Sequence, residues 1–362
     1  VYTVTVTDSQ GATSSQDIVV DITGNDTPAV VWIATTDPDS PSGGLWNDAA
    51  NWETGTVPTA TDDVIIITDQ LRGLTPSYPV TIASPATAKS LTMDDFGTLF
   101  TNSPTLINNS TLTVGAGGVS LGADSVLRNN GTISVAGLLE VLNQSTLQNS
   151  GSIQLSHGGD FKDQSVVTNS GGIEVFGGTL NIEVDVANAG GDLNVSGGGR
   201  LTLAGAAITG GTITGNSVVE IVDDSGLYSV TVSNYWLTVD AGKTLLLNGA
   251  TITGMNSITG SFVDNQGTIH VTGDSTIDAV TVANNLTTID DGVTLTLDDA
   301  MIANGTIINN GIIEVDALKT LYLQSATLSG GTIANAGAVA ITIDSTIENA
   351  INRNSQPTEL RI

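Results

Sequence analysis

Three aligned stretches hold the residues whose types and spacing could do chemistry: Val239-Asp240-Ala-Gly-Lys243-Thr-Leu245, Ile289-Asp290-Asp-Gly-Val293-Thr-Leu295 and Val315-Asp316-Ala-Leu-Lys319-Thr-Leu321. Their alignment predicts one column of carboxylates, Asp240, Asp290 and Asp316, and a second column of ammonium groups, Lys243 and Lys319. Carboxylates on adjacent strands stand about 5 Å apart and repel unless a cation, a water or a lysine intervenes. The chemistry expected of such a column is calcium coordination, because calcium is a hard cation that takes carboxylate and carbonyl oxygens. The same pattern also fits solvated turns in which an aspartate starts a bend.

Aspartate doublets at Asp62-Asp63, Asp94-Asp95, Asp223-Asp224, Asp290-Asp291 and Asp298-Asp299 each resemble half of an acid/base pair or a metal site. A glycosidase needs two carboxylates at a set separation, whereas neighbours in a strand point to opposite faces, so adjacency alone makes no catalytic pair. His157 and His270 lie too far apart for a dyad, and His270, between Ile269 and Val271, is expected to face solvent. The motif H-E-x-x-H and the Walker loop are missing from the sequence, as is the calcium-binding nonapeptide G-G-x-G-x-D. No catalytic residue and no organic cofactor is therefore assigned.

The elements that must position these residues are strands. An apolar-x-apolar pair recurs at Ile133 and Val135, Ile153 and Leu155, Ile173 and Val175, and Leu193 and Val195, with the same step each time. A fixed period of about 20 residues without a helical stripe means a solenoid, each unit buried only by stacking on its neighbours. The unit Gly131-Thr-Ile-Ser-Val135, Leu138-Leu-Glu-Val-Leu142, Ser145-Thr-Leu-Gln-Asn149 reads as three strands separated by short turns. Asn108, Asn129, Asn149, Asn169 and Asn188 mark one corner. The fold class expected is all-β, a right-handed three-sided parallel β-helix of about eleven coils, roughly 50 to 55 Å long at about 4.8 Å per coil. Further on, Val230 to Gly254 aligns without gaps on Val280 to Asn304, and L-x-L-x-x-A-x-[IL] starts at Leu201, Leu245, Leu295 and Leu321.

The net charge of −28, from 37 acidic and 9 basic residues, repels nucleic acid and anionic membrane surfaces. Neither nucleic acid binding nor direct membrane insertion is expected. With no cysteine there is no disulfide framework and no thiolate. The chain opens on Val1 without a signal segment and is expected to be a piece of a longer protein.

Two short stretches resemble known families. Val1-Tyr-Thr-Val-Thr-Val-Thr7, the turn Asp8-Ser-Gln-Gly11 and Asp17-Ile-Val-Val-Asp-Ile22, ending in Asp21-Ile-Thr-Gly-Asn25-Asp26-Thr-Pro28, resemble the last two strands of VCBS and cadherin-like repeats of large bacterial surface proteins. The resemblance implies calcium ligands at Asp21, Asn25 and Asp26. Trp46-Asn-Asp-Ala-Ala-Asn-Trp52-Glu-Thr-Gly55-Thr-Val-Pro58 followed by Asp62-Asp63-Val-Ile-Ile-Ile67 resembles the segment that leads into autotransporter-like β-helices. Trp46 and Trp52 would then shield the first coil, or alternatively offer an aromatic platform for a sugar. Polysaccharide lyases on β-helices pair an acidic cluster with a basic proton abstractor, for which Lys162, Arg200 and Lys243 are the candidates; no carboxylate cluster lines up beside any of them.

The expected organisation is a β-sandwich remnant over 1–27, a linker over 28–45, a cap over 46–89, the β-helix over 90–350 and a tail over 351–362. The expected function is non-catalytic: an adhesin, stalk or scaffold secreted to the bacterial cell surface, with calcium as the candidate stabilising ion. Its candidate partners are glycans, a cell or biofilm surface, and further copies of itself. A self-assembling filament or sheath subunit and a polysaccharide-active enzyme are the alternatives.

Overall fold

The computed structural model describes residues 2–7, 13–18, 28–34, 43–68, 78–95, 103–254 and 261–354. It is an all-β solenoid of about twelve stacked turns whose strands pair in parallel from turn to turn, about 60 Å long at about 4.8 Å per turn. Face one carries Thr105–Asn108, Val126–Asn129, Thr146–Asn149 and Val166–Asn169, joined rung by rung. Face two carries Thr132–Val135, Ser152–Leu155, Gly172–Val175 and Asp192–Val195 in the same manner. Face three carries Leu139–Val141, Gly158–Phe161, Thr179–Ile182 and Arg200–Ala204.

Alternation decides which side chains go inside. Leu127, Leu147 and Val167 pile up on face one, Ile133, Ile153 and Ile173 on face two, and Leu139, Leu180 and Leu201 line face three, all buried. Each such side chain stabilises by about 1.5 to 3 kcal/mol when fully buried, and here the burying partner is the neighbouring turn.

The corner from face one to face two explains the recurring Asn-x-Gly. Asn108, Asn129, Asn149, Asn169 and Asn188 are buried, and from Asn108 to Asn169 each Nδ2 donates to Oδ1 of the next asparagine at 2.7 to 2.8 Å. Just beyond Asn149, a Cβ on Gly151 would lie 2.0 Å from the carbonyl oxygen of Gly131 in the preceding turn, so the glycine is there for close approach. At the corner from face three to face one, Asn143-Gln144 and Asp163-Gln164 each take two successive positive φ angles, the geometry of a type I′ turn.

The sequence repeat that aligns Val230 with Val280 is not a whole number of turns. Thr231–Val239 starts on face two and bends onto face three, while Thr281–Ile289 starts on face three and bends onto face one. The aligned segments lie seven strand segments apart, two turns and a third. The long steps from Val195 to Ile221 and from Val239 to Val271 likewise cover a turn and a third rather than one lengthened coil. From Thr105 onward, real turns range only from short ones such as Thr268 to Leu286 up to the longest, Trp236 to Phe262. Counted by register, they make about twelve rather than eleven.

The solenoid also starts earlier than expected. Val30 and Val31, within the stretch read as linker, pair in parallel with Val64 and Ile65, and Asp63–Thr68 pairs with the strand Ala86–Asp95. At the other end Ile351–Asn354, read as tail, adds a last strand to face two. Trp32, Trp46 and Trp52 are buried at the N-terminal end, with Trp52 edge-on to both others at centroid distances of 5.0 and 4.9 Å. Trp52 Nε1 donates to the Trp46 carbonyl at 2.7 Å. Buried tryptophans shield the core, as expected of Trp46 and Trp52, and cannot serve as a sugar platform. Tyr2–Thr7 pairs antiparallel with Thr13–Ile18 in a separate sheet, so the second hairpin strand begins at Thr13 rather than at Asp17.

Candidate functional site

Asp240, Asp290 and Asp316 do not form the expected column. Asp240 follows Val239 at the end of face three, Asp290 follows Ile289 at the end of face one, and Asp316 follows Val315 at the end of face two. They stand at three different corners and cannot share an ion, and Lys243 and Lys319 are separated in the same way. The cause is the third of a turn hidden in the repeat. Asp290 Oδ1 lies 2.8 Å from Nε2 of His270, whose side chain points outward as expected. The Asp316 N–H donates to Asp298 Oδ1 at 2.9 Å. Asp21, Asn25 and Asp26 lie outside the described residues. Among the described residues, no group of three or more His, Asp or Glu side chains is arranged to hold a metal ion.

Several of the acidic residues staple successive turns. Asp224, Asp274 and Asp299 each accept a backbone N–H from the following turn, those of Thr244, Thr294 and Thr320, at 2.7, 2.8 and 3.1 Å. Lys243 pairs with Asp223 at 2.8 Å, which lowers the aspartate's pKa and raises the lysine's. Lys319 bridges Asp299 and Asp278 at 2.9 and 3.2 Å, and these two partners raise its pKa. Beside them Asp298 is buried, and burial pushes its carboxyl above the ordinary aspartate value. Arg200 is held by Glu220. Arg200 and Lys243, read as candidate proton abstractors, are thus cations paired with carboxylates, while Lys162 follows Phe161 into the corner that leaves face three. The signal for the staples was in the sequence: an aspartate one turn ahead of a threonine that opens a strand, as Asp224 stands ahead of Thr244.

One surface feature lies outside this stapling. An outward column on face three runs Val218, Trp236, Phe262, Thr281, Met301 and Tyr322 in continuous register. Trp236 and Phe262 are in contact, with ring centroids 5.2 Å apart and planes at 57°. Trp236 is 38% exposed and its neighbour Tyr235 is 48% exposed. The next outward column along the strands is polar at Glu220, Thr238 and Asp264 before it reaches Ala283. Alternation in Trp236-Leu237-Thr238-Val239 already turns Trp236 outward. Its meeting with Phe262, one turn on, requires the register of the stack. Elsewhere the surface holds shallow depressions, such as one of about 250 Å³ lined by Arg128, Gln148, Ser150 and Thr168.

No known protein family, no curated protein and no solved structure matches this chain.

Proposed function

We propose that this chain is a non-catalytic extracellular segment of a large bacterial surface protein, a stiff acidic stalk or scaffold whose flat sides serve for adhesion. The observation that carries this reading is the uniformity of the solenoid. From Thr105 onward even the longest turn, 26 residues from Trp236 to Phe262, exceeds a short one, 18 residues from Thr268 to Leu286, by only eight, which leaves little chain from which to raise the walls of a cleft. Many of the charged side chains that might do chemistry are already engaged in linking one turn to the next. The VCBS-like stretch from Val1 to Pro28 and the lead-in from Trp46 to Ile67 support a place in a secreted surface protein. The net charge of −28 suits a segment that stays soluble at high local density.

Two assays on the full chain test the proposal. Incubation with neutral and uronic-acid polysaccharides should release neither reducing ends nor unsaturated products, and beads coated with the protein should adhere to bacterial or biofilm surfaces more than albumin-coated beads. Sustained product release overturns the non-catalytic reading, and beads no stickier than the control overturn the adhesive one.

A further inference from the structure

We propose that face three binds a neutral polysaccharide chain laid along the solenoid axis, with a sugar ring stacked on Trp236. This deepens the adhesive reading above and rests on it. Aromatic residues are scarce, 4% of the chain with only four tryptophans. Three of the four are buried at the N-terminal end. The fourth stands on the surface, held at a fixed tilt by Phe262 and flanked by exposed Tyr235. Tryptophan and tyrosine on a surface are the side chains most often used as recognition anchors, because each offers a large rigid face at little entropic cost.

The shape of the stripe selects the partner. It is one side chain wide, with successive members about 4.8 Å apart along the axis, and the column beside it is polar. A protein partner of ordinary affinity covers more than about 1,000 Å² of total surface in a broad patch, which a single file of side chains does not offer. A polysaccharide is itself a single file, each ring presenting an apolar C–H face bordered by hydroxyls. Asp264 stands about 6.6 Å along the strands from Phe262, and Glu220 at the same offset from Val218, on the side where hydroxyls of a stacked ring would need acceptors.

Charge selects within the class. The stripe is bordered by Glu220 and Asp264 on a chain of net charge −28, and Arg200, at the head of the column, is engaged by Glu220. Uronate or sulfated chains are repelled from such a surface, so the ligand is neutral.

The test is affinity electrophoresis of the full chain through gels containing mixed-linkage β-glucan, xyloglucan, mannan, polygalacturonate or alginate, with quenching of tryptophan fluorescence by succinimide as a second readout. Expected are retardation by at least one neutral polysaccharide, protection of the exposed tryptophan by that polysaccharide, and at least a tenfold loss of affinity in Trp236→Ala with partial recovery in Trp236→Phe. Unchanged far-ultraviolet circular dichroism of both variants separates lost binding from lost fold. Retardation by none of the neutral polymers, preference for the acidic ones, or full binding by Trp236→Ala overturns the proposal. So does a concentration-dependent dimer in sedimentation that Trp236→Ala abolishes, since the stripe would then be covered by a second copy. Beads that still adhere while every neutral polysaccharide fails would leave the adhesive reading standing and remove only this inference.

Discussion

Nδ2 of Asn129 donates to Oδ1 of Asn149 across 2.8 Å in the interior of the corner between faces one and two. The same nitrogen donates to the Ser152 carbonyl at 3.0 Å, so one amide ties a turn both to its neighbour's side chain and to its neighbour's backbone. Repeated from Asn108 to Asn188, this makes a continuous hydrogen-bonded spine. Buried networks of this kind are stable when every member is satisfied and costly when one is missing.

Asn149→Ala is expected to cost about 2 to 3 kcal/mol, because Asn169 Oδ1 loses the donor that Asn149 supplies and a buried acceptor is left without a partner. Asn149→Asp should cost more, since it places an unpaired charge in the same site. In a solenoid each turn contacts only its neighbours, so hydrogen exchange, which reads single amides, is the measurement that shows where stability is lost. Protection of the Ser150 and Gly151 amides, which donate to the Asn129 carbonyl, should fall while that of Thr231 to Val239 stays unchanged. Equal loss of protection along the whole chain would contradict the local role of the spine.

Gly151 and Gly242 separate two reasons for glycine. A Cβ at Gly151 meets the Gly131 carbonyl at 2.0 Å, whereas one at Gly242, with φ +74°, meets nothing within 4 Å. Gly242→Ala should therefore cost only the strain of a left-handed residue, about 1 to 2 kcal/mol. Gly151→Ala should pry two turns apart and lower the urea midpoint several times further. Equal effects would mean that the corner relaxes freely and that the period of Asn-x-Gly has another cause.

Asp298 makes the acidic corner sensitive to pH in an unusual direction. Its carboxyl is raised above the ordinary value by burial, so the folded protein holds this proton more tightly than the unfolded chain. Stability is then lost as pH rises through the raised value. Asp63, lowered by Lys89, does the opposite, and its contribution disappears as pH falls below the ordinary aspartate range. Asp298→Asn keeps an acceptor for the Asp316 N–H and removes the charge. It should raise the melting midpoint at pH 7 by about 1 to 2 °C, with the gain shrinking toward pH 4. A variant less stable than the parent at pH 7, or a gain independent of pH, would show that the ionised carboxylate is favourable where it stands.

The first half of the solenoid was legible in the sequence because the sequence period there equals one turn, so inward residues such as Ile133, Ile153 and Ile173 repeat on one face. The second half was not, because its strand–corner–strand unit carries no mark of which corner it occupies. In L-x-L-x-x-A-x-[IL] the alanine is buried at Ala206, Ala250, Ala300 and Ala326, and the residue before it takes a positive φ at Gly205, Gly249, Asp299 and Ser325. That geometry turns the chain from face three to one, from one to two, or from two to three with equal ease. The aspartates aligned by the motif were therefore scattered around the axis. Trp32 was hidden for a different reason: it sits in a stretch leading into Asp37-Pro-Asp-Ser-Pro, and only the pairing of Val30 with Val64 brings it into the core.

The freedom of the corner unit can be tested by deletion. Removing residues 231–250 takes out one whole turn, because Thr251 stacks directly on Thr231; downstream strands keep their faces. Removing 230–279 follows the sequence repeat instead and takes out two turns and a third. The new junction remains favourable, since Thr281–Ile289 bends as Thr231–Val239 does, so both proteins should fold with strand content close to the parent. They should differ in rotation. The chain contains no cysteine, so spin labels at Asn181→Cys and Ala303→Cys, both outward on face three, report the geometry cleanly. The whole-turn deletion should shorten their distance by about one rung, roughly 5 Å. The repeat-length deletion should carry Ala303 onto face two, giving a separation longer than the roughly 18 Å that three and two-thirds rungs along one face would produce. A distance matching pure axial shortening in both deletions would mean that the repeat is a whole number of turns, and the assignment of Asp240, Asp290 and Asp316 to three corners would fall with it.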